Sequence, residues 1–485
     1  MQQVQSVTLG LTQSGKAIGP PLKYGNRHGL VTGATGTGKT VTLQTLAEGF
    51  SRAGVPVFAA DVKGDLSGIA ALGDPQSNAA KRRADFVPHR CPVALWDIFA
   101  ERGLPIRTSV QALGPELLAS MLRLNETQYG TLAIAFKKAK DDQTFLLSLD
   151  DLRWSLSDLL DMREEICRKY GNISASSIAA IQRNILALES QGGHHLFGEP
   201  PFKITDFLRT EHGQGVVNLL HADQLMECPG LYSIFLLWLL TELFRELPEA
   251  GDLDRPKLVF FFDEAHLLFR DAPKPLLQQI ERLVRLVRSK GVGVFFVSQS
   301  PADIPETVLA QLGNRVQHAL RVYTPKEQRF VRAAAQAFRP NKGVDVKAEV
   351  VNMGIGEALV SVMIDDGVPS PVEKVKVSPP QSQIGPISNL EREVLLRDNP
   401  LAGKYPSVVD VDAMQKQFTD RMRAAAGLPP INWAGDRWQA GDFKNFLPDI
   451  VPAPKAAPRP AYGLQALASL AVAAGCFYIA GMLGI

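Results

Sequence analysis

The stretch Gly33-Ala34-Thr35-Gly36-Thr37-Gly38-Lys39-Thr40 constrains this chain more than any other. It fits the phosphate-binding loop G-x-x-x-x-G-K-[ST]. A backbone that wraps an anion must bring its N–H groups close, and glycine removes the Cβ that would block that approach. The pattern assigns Lys39 to the β- and γ-phosphates of ATP and the Thr40 hydroxyl to Mg²⁺. Leu30-Val31-Thr32 leads in as a buried strand, and Val41-Thr42-Leu43-Gln44-Thr45-Leu46-Ala47 leaves as a helix. An ordinary glycine-rich turn would lack that setting.

Two further apolar runs read as buried strands. Val55-Pro56-Val57-Phe58-Ala59-Ala60-Asp61 follows the loop helix, which makes a right-handed βαβ unit and implies a mainly parallel α/β sheet. Such sheets carry their chemistry at the carboxyl ends of the strands. Asp61-Val62-Lys63-Gly64-Asp65 falls there, either as a solvated turn or as a loop near the nucleotide or a DNA path. Lys257-Leu258-Val259-Phe260-Phe261-Phe262 delivers Asp263 and Glu264 to another tip. Asp263 is expected to hold the hydration shell of Mg²⁺, and Glu264 to orient and deprotonate the attacking water.

A helix is expected from 275 to 290. At about 100° per residue, Arg282, Arg285 and Arg288 share one face of it, and Leu283, Val284, Leu286 and Val287 cover the other. That face is either simply solvated or supplies an arginine finger to a neighbouring subunit. The run Val292-Gly293-Val294-Phe295-Phe296-Val297-Ser298 then places Gln299 at a strand tip, where an amide can sense the γ-phosphate.

Around this core the chain divides as follows. Residues 1–28 read as a short β-ribbon, and 29–102 with 250–375 as the ATPase core. Residues 103–249 read as a helical insertion, 376–460 as a peripheral extension, and 461–485 as an apolar helix. Within the insertion, Asn125, Gln128, His194 and His195 are polar enough to touch a substrate, although structural roles suit them as well. Residues 466–485 carry no charge, and as a helix would be about 30 Å long. With Lys455 and Arg459 just before them they suit an inner-membrane anchor, or equally a helix packed on the core or on a neighbour.

The 485 residues carry 52 Lys+Arg against 50 Asp+Glu, so no global basic charge announces nucleic acid. A ring can confine its basic residues to a pore, so near-neutrality does not exclude DNA. Cys91, Cys167, Cys228 and Cys476 form no C-x-x-C pair, which fits a reducing cytoplasmic setting. The first eleven residues lack the basic start and apolar run of a signal peptide.

Asp263-Glu264-Ala265-His266 spells a DEAH box, but the arginine-rich Q-x-x-G-R-x-G-R motif that superfamily 2 helicases carry on a second RecA-like domain is not found. The ordered set is instead similar to the HerA/FtsK superfamily, and within it to the HerA-like bacterial ATPases. It comprises Arg27-His28-Gly29, the loop 33–40, Asp61-Val62-Lys63-Gly64, Asp263-Glu264-Ala265-His266, Arg288, and Val297-Ser298-Gln299-Ser300-Pro301, and covers roughly residues 25–365. The resemblance implies a RecA-like P-loop NTPase core that hydrolyses ATP between subunits of a homo-oligomer, a hexamer, acting on double-stranded DNA. It also implies that Arg288 is the arginine finger and Arg27 a second γ-phosphate arginine. Residues 1–28 have no room for the β-barrel with which HerA begins and docks a nuclease. Two other readings stand beside the motor: a membrane-associated secretion or conjugation ATPase, and an ATP-controlled assembly switch.

Overall fold

The computed structural model describes residues 6–406, except for 84, 143, 145, 199, 252, 270–273, 322–324 and 365–366. The apolar run 466–485 lies outside the described residues. Among those described, no helix is long and apolar enough to cross a membrane.

Among the described residues the chain forms two compact units, one of residues 6–106 with 202–405, the other of residues 107–201 with Pro406. The first is built on a twelve-stranded sheet. Its strands in chain order are β1 (Gly10–Thr12), β2 (Ala17–Ile18), β3 (Gly29–Thr32), β4 (Val57–Asp61), β5 (Val93–Asp97) and β6 (Leu104–Pro105). They continue as β7 (Val217–His221), β8 (Leu258–Phe262), β9 (Val292–Ser298), β10 (Asn314–His318), β11 (Glu357–Ser361) and β12 (Glu373–Val377). Across the sheet the order is β2-β1-β12-β11-β10-β3-β9-β8-β4-β7-β5-β6. From β10 to β6 all neighbours run parallel; β10, β11, β12, β1 and β2 pair antiparallel at the other edge. This is the mainly parallel RecA-like arrangement, in which β9 separates the P-loop strand β3 from the acid-bearing strand β8.

Alternation along β8 and β9 builds the core on both faces. Phe261 and Phe295 meet Phe50 of the helix Lys39–Arg52 on one side. Phe260, Phe262 and Phe296 form the other side, where Phe207 and Phe269 pack. All three phenylalanines of β8 are fully buried.

Three features differ from the sequence expectations. Val217–His221, within the stretch expected to be helical, is the central strand β7 between β4 and β5. Its apolar run is interrupted by Asn218, whose buried amide accepts from the Trp96 indole and donates to Val57 O and Phe207 O. The helical unit accordingly narrows from 103–249 to Arg107–Pro201, and Pro229–Glu246 belongs with the sheet unit. The stretch after 376 starts as part of the sheet and then crosses the P-loop helix. There the Gln381 and Ser382 amides donate to the Glu48 carboxylate, and Thr45 Oγ1 donates to Ser378 O. The expected N-terminal ribbon is β1 and β2, and β1 pairs with β12 at the sheet edge.

In the helical unit, Asn125 and Gln128 form a reciprocal capping box at the start of Glu126–Asp141, and Ser174 caps Ala175–Glu189. His194 and His195 are exposed, with their rings 4.0 Å apart.

Candidate nucleotide site

The loop 33–40 bridges β3 and the helix Lys39–Arg52. Two of its glycines are there by necessity. Gly38 is the N-cap of the helix at φ 111°, where an L side chain is strained, and a Cβ on Gly33 would lie 2.5 Å from His318 Cβ. The loop leaves Thr35 and Gly36 exposed in front of the helix N-terminus, where free N–H groups and the helix dipole favour an anion. Lys39 Nζ folds back to donate to Gly33 O at 2.7 Å and Ala34 O at 3.2 Å, contacts that a phosphate would replace. Burial lowers the Lys39 pKa, and the nearby Glu264 and Asp263 oppose that shift. A nucleoside triphosphate fits this cradle, and Thr40 lies in the first turn of the helix beside it.

The loop also rests on β10. Ala34 N donates to Ala319 O at 2.9 Å, and Gly356 N donates to Thr37 O at 3.1 Å. His318 is buried between them, with Nε2 2.8 Å from Thr42 Oγ1 and Nδ1 3.0 Å from Glu357 O. Burial pushes its pKa down to about 4, so it works as a neutral strut. Sequence reasoning missed it; the signal was polar residues, Gln317 and His318, at the buried end of the strand Asn314–His318, whose one apolar residue is Val316.

Across β9, the tip of β8 presents Asp263 and Glu264. Burial, with Glu264 alongside, raises the Asp263 pKa to about 6. Burial, with Asp263 as the next cause, raises that of Asp61 at the tip of β4 to about 7. Glu264 stands at φ 47°, uncommon for a residue with a side chain and a form of strain that gathers at functional sites. Lys63 Nζ is 3.3 Å from Glu264 Oε1. His266 Nδ1 is 3.3 Å from Oε2, though without hydrogen-bond alignment. Gln299 is exposed at the tip of β9. The Asp303 carboxylate pins the chain on both sides of it by accepting from Ser298 Oγ and Ser300 N. A cavity of about 320 Å³ brings Gln299 together with Ala34, Thr35, His266 and Arg321. Arg321, exposed on this cavity, is a further residue the sequence did not single out.

Arg27 and Arg288 are not among these groups. Arg27 precedes β3 and Arg288 precedes β9, so both lie at the opposite end of the strands from the P-loop and Gln299. There they line a second cavity of about 720 Å³ with Lys23, Arg285 and Glu249. Arg27 lies over the Tyr24 ring, and Asn26 Nδ2 donates to Arg288 O at 3.5 Å. His28 joins the two arginine-bearing segments. It is buried at φ 55°, and its Nδ1 accepts from Val294 N at 3.0 Å. Arg282, Arg285 and Arg288 are all exposed, opposite the buried Leu283, Val284 and Val287.

The DNA double-strand break repair helicase HerA of Saccharolobus solfataricus is 22% identical over 410 residues, 81% of this chain and 70% of that protein. "Probable helicase MJECL08" of Methanocaldococcus jannaschii is 32% identical over 119 residues, 24% of this chain and only 21% of that protein. Among solved structures, the bacterial conjugative coupling protein TrwBdeltaN70, trigonal form with sulphate, is 18% identical with a TM-score of 0.49. That match covers 79% of this chain and 92% of the other. The family described as "Helicase HerA-like C-terminal" matches residues 7–459, nearly the whole length, and the chain belongs to that family.

Proposed function

We propose that this P-loop ATPase is a ring motor that couples ATP hydrolysis to movement along, or unwinding of, double-stranded DNA, as a homo-oligomer, a hexamer. One observation carries the reading. The phosphate loop and acids stand at the carboxyl ends of the strands, and Arg27 and Arg288 at the amino ends of two of the same strands. β9 alone, at seven residues, spans about 23 Å. No arginine of that pair can reach its own subunit's γ-phosphate, and a neighbour's site is the place where both can act.

In this reading the N–H groups of 33–38 and the N-terminus of the helix hold the phosphates, and Lys39 exchanges its carbonyl partners for the β- and γ-oxygens. Thr40 and Asp263 hold Mg²⁺, which when bound neutralises phosphate charge. Glu264 orients a water and takes its proton. Gln299, held by its pinned loop, feels whether a γ-phosphate is present. Arg288 of the adjacent subunit, with Arg27 beside it, stabilises charge developing on the transferring phosphoryl group. Similarity to HerA, a DNA double-strand break repair helicase, supports DNA as the cargo.

ATP turnover on a sized oligomer, with and without duplex DNA, tests the proposal. Duplex should accelerate turnover at low salt, where phosphate contacts are strongest. Absence of both binding and stimulation there would remove the DNA role. Lys39→Ala should abolish nucleotide binding, whereas Glu264→Gln should bind ATP and fail to hydrolyse it. ATP-driven oligomerisation with negligible wild-type turnover would instead favour a switch.

A further inference from the structure

We infer that Lys63 is a positioning residue that holds Glu264 in an unproductive place until a phosphate of the nucleic-acid cargo draws the lysine away. The inference rests on the proposed role of Glu264 as general base.

Both carboxylate oxygens of Glu264 are faced by protein. Oε1 lies 3.3 Å from the Lys63 ammonium and Oε2 3.3 Å from His266 Nδ1. An oxygen turned toward an ammonium is not free to accept a proton from water. The backbone at Glu264, at φ 47°, sets only where its Cβ points, so the contacts of the carboxylate decide where its oxygens lie.

The two partners differ in the way a releasable restraint requires. The Glu264 side chain is 12% exposed and the Lys63 side chain 52%. Lys63 can therefore leave without uncovering Glu264. Lys63 sits in the turn after β4, next to Gly64 at φ 76°, and is the one cation in the sequence Asp61-Val62-Lys63-Gly64-Asp65. A partly exposed ion pair is a modest restraint. Duplex DNA carries a phosphate charge about every 1.7 Å along its axis, so it competes well for a single exposed ammonium. Cargo engagement and release of the base would thereby become one event, and ATP would be spared when the ring is empty.

Steady-state ATP turnover of the full-length wild type, K63Q, K63R and E264Q, each with and without duplex DNA, tests this. In K63Q the rate without DNA should rise about two- to fivefold, the size expected for loss of such a pair, and the stimulation ratio should fall by the same factor. K63R, which keeps the positive charge, should restore the low DNA-free rate. A K63Q rate that is unchanged or lower without DNA, or an unchanged stimulation ratio, overturns the inference. E264Q that still turns over would remove Glu264 as the base, a failure of the reading on which this rests. A wild type that duplex does not stimulate sinks DNA as the cargo and with it the release of Lys63 by a cargo phosphate, whatever the K63Q rate.

Discussion

The two ends of the central strands have opposite characters. At the carboxyl ends of β3, β4, β8 and β9 the groups are mostly buried and tied to one another: Lys39 to its own loop carbonyls, Thr42 to His318, Asp61 beside Asp263. At the amino ends, Lys23, Arg27, Arg285 and Arg288 surround an open groove. β3 and β9 take part in both ends, so in the proposed ring each is a rigid spacer between half-sites. One end holds its groups ready within a single subunit; the other presents positive charge to whatever docks there. Two halves that cannot meet within a chain can meet between copies of it.

Removing an arginine tests that contrast most severely. Arg288→Ala should lower turnover by about 10³-fold or more, the usual worth of an arginine finger, and leave ATP binding within a few fold of wild type. Mixing makes the test directional. Arg288→Ala and Lys39→Ala subunits should each be inactive alone, but a mixed ring would contain interfaces that join an intact loop to an intact arginine. Partial recovery of turnover on mixing is expected. Wild-type rates from Arg288→Ala alone would break the comparison outright.

The carboxyl end was largely legible in the sequence because its signals are local. Residues 33–40 and Lys257 to Glu264 each join an apolar run to chemistry at fixed short spacing. Asn125 and Gln128 resolve in the same way, since a cap and its partner lie three residues apart. What escaped depends on long-range pairing. Lys63 meets Glu264 across 201 positions, and His318 meets Thr42 across 276. No periodicity carries such information. β7 was hidden by its setting in a helix-rich stretch and by Asn218, whose polarity makes sense only beside Trp96. That β9 lies between β3 and β8 follows from crossover geometry, to which no single residue points.

His318 offers a smaller test, confined to the carboxyl end. His318→Ala should leave Thr42 Oγ1 and Glu357 O without their ring partner and cost about 1–3 kcal/mol of stability. Loosening the floor of the loop should weaken nucleotide binding by about tenfold, on the order of 1.4 kcal/mol. Nucleotide titration and thermal melting check both numbers, and Gln at this position should recover part of the loss. Unchanged affinity in a folded His318→Ala protein would show that the loop supports itself.

The finest distinction is in protons. Asp263 and Asp61, with pKa raised to about 6 and about 7, titrate near neutrality when no cation is present. A carboxyl whose folded pKa exceeds its unfolded value is favoured in the fold when protonated. The nucleotide-free protein therefore loses stability as pH rises from about 4 through 7. A divalent cation reverses the preference, since it binds the carboxylate and expels the proton. Magnesium-nucleotide binding at pH 6 should thus release a fraction of a proton, visible as a heat that depends on the ionisation enthalpy of the buffer. The release should vanish above about pH 8, and affinity should fall as pH drops from 7 to 5. Asp61→Asn should reduce the release, because that residue adds to the raised pair. Arg288→Ala should leave it intact, since the arginine end contributes no group to this titration. Buffer-independent heats at pH 6 would show that Asp263 already carries its charge before the cation arrives, and the two ends of the sheet would then differ in geometry alone.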